Sequence, residues 1–200
     1  MSRILCALMV VTFLASCGGG RGQYTDAPRE LDNACAILKE RPKFVSAFRA
    51  AERKWNVPVH VLMATLYQES KFKSEARPPF RYTLSVIPMG RQSSAYGYSQ
   101  ALDGTWDEYK QKTGSFGAKR NNIRDAADFM GYYMNITKER NGISLTDARN
   151  QYLAYHDGHT GFARGTYKRK AWLMRVAGEV GQRSQMYKAQ LSSCRALKRF

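Results

Sequence analysis

Acidic residues are scarce in this chain: 16 Asp and Glu stand against 32 Lys and Arg in 200 residues, leaving a formal charge of +16. An excess of that size selects polyanionic surroundings, whether nucleic acid, anionic lipid headgroups or an acidic cell-wall polymer, without choosing among them. Long apolar runs are lacking too. The run Ile4 to Phe13 is about ten residues, short of the roughly 20 that a spanning helix needs, and no later run is longer. No repeat of roughly 20 to 50 residues recurs, which argues against a solenoid. Histidine and cysteine are few. His156 and His159 flank Asp157, but Gly158 interrupts them and no third histidine or cysteine stands nearby, so no metal site and no cofactor are expected. What is present is ample apolar material, 44% with 12% aromatic, enough for one folded domain with its own core.

Arg3 followed by the Ile4 to Phe13 run has the form of a secretory signal. The run ends Leu14-Ala15-Ser16-Cys17, which resembles a bacterial lipoprotein lipobox. That resemblance implies cleavage after residue 16 and a lipid on Cys17. Loss of Arg3 with the signal lowers the net charge from +16 to +15. Residues 17–36, with Gly18-Gly19-Gly20 and Pro28, read as a lipidated start and flexible tether, and residues 37–200 as the folded domain. Gly18 after the cysteine resembles outer-membrane sorting, so the expected location is the periplasmic face of an outer membrane. With Cys6 removed and Cys17 acylated, Cys35 and Cys194 remain; an exported compartment oxidises such a pair, the alternative being two separate buried thiols. Closing so long a loop is worth at most about 5 kcal/mol on the chain-entropy model.

The folded part reads as mainly α. Phe44, Val45, Phe48, Ala51 and Trp55 keep helical spacing in a segment from Ile37 to Trp55, and Pro58 opens a second helix carrying Val59, Leu62, Met63 and Leu66 towards Glu69. Residues 75–96 differ: three prolines and the alternation Phe80, Tyr82, Leu84, Val86 predict a loop or small β-hairpin inserted into a helical protein and lining or covering part of a cleft. Further helices are expected over 104–112, 123–140, 145–155, 168–180 and 184–197. Asn122 suits the start of the longest and Asn141-Gly142 its end, while Ser144 with Asp147 resembles a capping box.

Glu69 ends a helix whose preceding turns, Val61 to Tyr67, are almost wholly apolar. Partial burial and the negative end of the helix dipole both disfavour its charged form and raise its pKa, as a proton donor near neutral pH requires. Taken alone, this segment fits a solvated surface glutamate somewhat better. Three blocks in order change that balance. Glu69-Ser70-Lys71-Phe72, then Gly97-Tyr98-Ser99-Gln100 with Thr105-Trp106 behind it, then Ala154-Tyr155-His156-Asp157-Gly158 resemble the soluble lytic transglycosylase (SLT) family over about residues 44–175. Tyr98-Ser99 stands where that family has Leu-Met, and His156-Asp157 where it has Asn-Ala.

The resemblance implies an all-α, lysozyme-like fold and an enzyme acting on peptidoglycan glycan strands. It implies a single glutamate, here Glu69, that protonates the oxygen between N-acetylmuramic acid and N-acetylglucosamine and then takes the proton of the muramoyl 6-hydroxyl, giving a 1,6-anhydro product. Ser70, Tyr98, Gln100 and Tyr155 are the expected substrate-binding residues, Gln100 through an amide that donates and accepts at once. Asp103, Asp107 and Glu108 are checked as second carboxylates, which would favour hydrolysis. Two alternatives stand beside this reading: a hydrolytic muramidase on the same fold, and a catalytically silent cationic wall-binding lipoprotein. Nucleic acid is disfavoured, because the basic residues are spread over many segments. The expected partners are glycan strands and, through Cys17, a membrane; the expected state is a monomer.

Overall fold

The computed structural model describes residues 24–84 and 87–198; the expected signal segment, Cys17 and Val86 lie outside the described residues. The protein is mainly helical, with helices α1 Ala34–Glu40, α2 Pro42–Trp55, α3 Val59–Ser70, α4 Asp103–Thr113, α5 Ile123–Asn141, α6 Ala148–Asp157, α7 His159–Ala163, α8 Ala171–Ser192 and α9 Arg195–Lys198. Strands β1 Phe80–Thr83 and β2 Ile87–Arg91 form an antiparallel pair between α3 and α4, as the proline-rich segment predicts.

Local chemistry explains most of the boundaries. The Asn122 side chain accepts from Arg124 N and Asp125 N to start α5, and Gly142 ends it at φ 70°. Three expectations are corrected. The single helix expected over Ile37 to Trp55 is two, because Pro42 has no N–H to continue α1 and instead occupies the first turn of α2, with Arg41 in a non-helical conformation between them. Asp147, and not Ser144, caps α6, its Oδ1 accepting from Asn150 N at 3.0 Å. The helices expected over 168–180 and 184–197 are mostly one, α8. Gly181 does not interrupt it, since a Cβ there would stand 3.3 Å from Arg149 and the missing side chain lets α6 and α8 approach.

α2 and α5 pack closely against each other. At Gly131 a Cβ would fall 2.5 Å from Trp55 Cδ1, so the indole lies directly on the α5 backbone. The same indole donates to Asp128 Oδ1 at 2.8 Å, while Asp128 Oδ2 accepts from Tyr109 at 2.6 Å and Lys54 at 2.9 Å, knitting α2, α4 and α5 together. Cys35 in α1 is bonded to Cys194 after α8, closing a separation of 159 residues. Residues 24 to 33, expected as tether, lie against this body: Tyr24 packs edge-on to Phe44 at 5.5 Å, and the Tyr187 hydroxyl donates to Leu31 O.

Candidate active site

α3 is buried almost all round, with Val61, Leu62, Met63, Ala64 and Leu66 at 0% exposure, and it delivers Glu69 to its last turn. Lys71 and Phe72 then both adopt left-handed backbone, φ 53° and 60°. For non-glycine residues such a pair is strained and persists only where packing over-determines it. Here the packing is Phe72, fully buried against Phe44 at 5.8 Å. The turn leaves Glu69 facing a cavity of about 440 Å³ rather than bulk solvent.

Burial pushes the Glu69 carboxyl up to about 8, against weaker opposing pulls from hydrogen bonding with the Tyr152 hydroxyl and the charge of Lys71. Its Oε1 is sealed from solvent and has no partner among the described residues. At neutral pH the group is therefore mostly protonated, a donor aimed into a cleft. Among the described residues lining that cavity, Glu69 is the only carboxylate. Asp103 is paired with Arg120 at 2.6 Å and Asp107 with Lys110 at 2.8 Å, both on a different face of α4.

The second motif forms the opposite wall. Gly97 has φ 76°, and a Cβ on it would meet Arg120 O at 2.2 Å, so only glycine passes this point. Gln100 follows with φ 52° and lines the cavity, but its Nε2 donates to Ala76 O at 2.9 Å and Gly97 O at 2.8 Å. Both amide hydrogens are thus used, which corrects the expectation of simultaneous donation and acceptance: only the amide oxygen remains to meet a ligand. Tyr98 is corrected more fully. It is 1% exposed and packs edge-on to Phe44 at 5.8 Å, with burial lifting its hydroxyl to about 12, so it is core and does not line the cavity. The aromatic ring replaces the family's aliphatic residue as filling, because the motif's turn points position 98 inward. Ser70 likewise turns away; it is buried and its Oγ donates back to Leu66 O at 3.2 Å.

The third motif closes the cleft from α6. Tyr155 lines it, packs edge-on to Tyr133 at 5.0 Å and donates to Ser99 O at 2.6 Å, so its hydroxyl ties α6 to the Gln100 wall. Burial, then the nearby Glu69, hold its proton on well above the usual range. His156 also lines the cavity, edge-on to the half-exposed Trp172 at 4.9 Å, and burial ahead of the Lys170 charge lowers its pKa. Asp157 does not face the cleft; its carboxylate is bound by Thr166 and Lys170, which folds the chain after α6 back on itself. His159 stacks on Tyr133 at 4.4 Å and meets Thr137 at 3.0 Å, so it diverges from His156. Sequence reasoning missed Tyr152 and Tyr133. Tyr152 sits three residues before Tyr155 on the same helix face, a spacing that was available as a signal; Tyr133 carried none.

The hairpin expected over the cleft contributes only its root. Ser93 and Ala95 line the cavity, whereas β1 and β2 make their main contacts with each other. The family model described as Transglycosylase SLT domain matches residues 5–194. No curated protein matches the chain.

Proposed function

Since the chain belongs to the transglycosylase SLT domain family, whose substrate is peptidoglycan, we propose that Glu69 alone performs a non-hydrolytic cleavage of the glycan strand. The observation that carries this is one carboxyl, raised to about 8, in a cavity with no second carboxylate among the described residues. Protonated Glu69 gives its proton to the oxygen of the β-1,4 bond between N-acetylmuramic acid and N-acetylglucosamine, and the bond from that oxygen to the muramoyl anomeric carbon breaks. The substrate's 2-acetamido group supports the positive charge that develops there. Burial that made Glu69 a weak acid makes its carboxylate a correspondingly good base, and it takes the proton of the muramoyl 6-hydroxyl as O6 bonds the anomeric carbon. The product is a 1,6-anhydro sugar, no water is consumed, and Glu69 regains its proton.

Other residues position this step. Hydrogen bonding with Tyr152 favours the carboxylate during the second half. Tyr155 holds the two cleft walls at fixed separation, Gln100 offers an acceptor to a sugar hydroxyl or amide, and neutral His156 stands where the family has asparagine. Glu69→Gln keeps the shape and removes the proton, so a loss on the order of 10³-fold in cleavage is expected. Mass analysis of digested murein reads it: anhydro-muropeptides from wild type, none from the variant. Reducing-end products from wild type would instead make the enzyme a muramidase, and unchanged cleavage by Glu69→Gln would remove Glu69 from the mechanism.

The same reading has residues 1–16 cleaved, Cys17 acylated and a monomer held at the periplasmic face of an outer membrane. Its support is the Leu14-Ala15-Ser16-Cys17 block and the extracytoplasmic substrate. Cys17→Ser is expected to move the protein from the membrane to the soluble fraction and to end labelling by a fatty-acid probe; persistence of the label would refute it.

A further inference from the structure

Eight large apolar side chains are exposed among the described residues, and five of them, Phe80, Tyr82, Leu84, Ile87 and Met89, belong to the β1–β2 hairpin. Their exposures run from 45% at Phe80 to 81% at Leu84. A patch of this kind on a soluble surface marks a contact. The apolar groups are not confined to one face. Phe80 and Tyr82 lie together with rings 6.4 Å apart, whereas Ile87 pairs with Thr83, the next position along from Tyr82, and so stands on the other face. A groove on a folded partner covers one face of a hairpin; a fluid apolar medium surrounds both.

Charge frames the patch. Residues 71–91 hold Lys71, Lys73, Arg77, Arg81 and Arg91 against the single acid Glu75. Arg91 lies over the Phe80 ring at 4.2 Å and donates to Pro78 O at 2.7 Å, which places a cation beside the apolar residues at the root of the hairpin, and Arg81 stands between Phe80 and Tyr82 on β1. An apolar tip above a cationic collar matches the order of a lipid leaflet, with acyl chains inside and anionic headgroups outside. Glycan strands fit it poorly, since Leu84, Ile87 and Met89 offer neither an aromatic face nor a hydrogen bond to a sugar. No helix among the described residues is long and apolar enough to cross a membrane.

We propose that the β1–β2 hairpin is an interfacial wedge that enters a membrane surface bearing anionic lipids. Because the hairpin springs from the strand of chain that also holds the cavity, through Gln100 and Gly97 on Ala76 O, the wedge sets the cleft beside the lipid surface. It requires neither acylation of Cys17 nor catalysis by Glu69.

Tyr82→Trp in the full chain, with the wild-type spectrum subtracted, reports the hairpin alone, and whatever residues 1–23 contribute is common to every variant. Vesicles of phosphatidylglycerol with brominated phosphatidylcholine are expected to quench the added emission at least twofold and shift it to the blue. Leu84→Asp combined with Met89→Asp should lower partition onto these vesicles at least tenfold, and Arg81→Ala about fivefold, at an unchanged thermal midpoint. Vesicle-bound protein in which the emission of the introduced indole is neither quenched nor shifted overturns the proposal. So does a shift seen only on adding glycan strands, which would assign the hairpin to the substrate.

Discussion

The end of α3 and the β1–β2 hairpin break the same rule in opposite directions. At the first, a carboxyl is inside: Glu69 Oε1 is sealed and has no partner among the described residues, at the end of a helix whose Val61, Leu62, Met63, Ala64 and Leu66 are fully buried. At the second, five large apolar side chains are outside, four on two strands that lean mainly on each other and Leu84 just after the first of them. The buried carboxyl is held by dense surroundings, including two successive left-handed residues that only the Phe72 anchor makes tolerable. The exposed apolar groups are held by nothing comparable. A misplaced group supported by packing costs stability and shapes chemistry, whereas one left unsupported costs little in the monomer and waits for a surface.

Measurements can test that contrast, and the largest effect belongs to Glu69. With its pKa near 8 in the fold and near 4.5 unfolded, the native state holds the extra proton between those values. Its contribution is therefore complete below about pH 4.5 and lost as pH rises through about 8. Across that window wild type should lose stability on the order of 4 kcal/mol relative to Glu69→Gln, read by denaturant titration at several pH values. The alkaline limb of kcat/KM should fall near the same pH. Equal pH dependence in the two proteins would mean the carboxyl is solvated. Next is Gly97→Ala, whose Cβ has no room beside Arg120 O; a destabilisation of about 3 kcal/mol is expected, with activity lost as the Gln100 wall shifts. Tyr155→Phe removes the bond to Ser99 O for about 1 kcal/mol in urea unfolding and should lower kcat more than it raises KM. The smallest effect is expected at the hairpin: Leu84→Ser should change unfolding stability by less than about 0.5 kcal/mol while weakening binding to anionic vesicles. A large loss there would show that the hairpin is packed after all.

Much of the fold was legible because its signals are local. Asn122, Pro58 and Gly142 act on their own turns, and the proline cluster with alternating apolar residues marks the hairpin without knowledge of its neighbours. Glu69 stood out only through the order of the three motifs, since the apolar turns before it, taken alone, fit a solvated surface glutamate somewhat better. The misread features depend on distant residues. Nothing near Tyr98 says that Phe44 waits to receive it, and nothing near Gln100 says that Ala76 O takes its amide proton. α8 runs through Gly178 and Gly181 because α6 packs on it, a contact no local pattern reports.

By itself, the sequence determined the helical class, the inserted hairpin, the cationic excess and the order of three motifs, since composition and short-range periodicity suffice for each. Tertiary structure alone decided which motif residues share the cavity. Glu69, Gln100, Tyr155 and His156 meet there while Ser70 and Tyr98 turn into the core, because a side chain's direction depends on backbone turns fixed by packing from elsewhere in the chain. The same packing sets the proton on Glu69, since desolvation is a property of the neighbours and not of the residue.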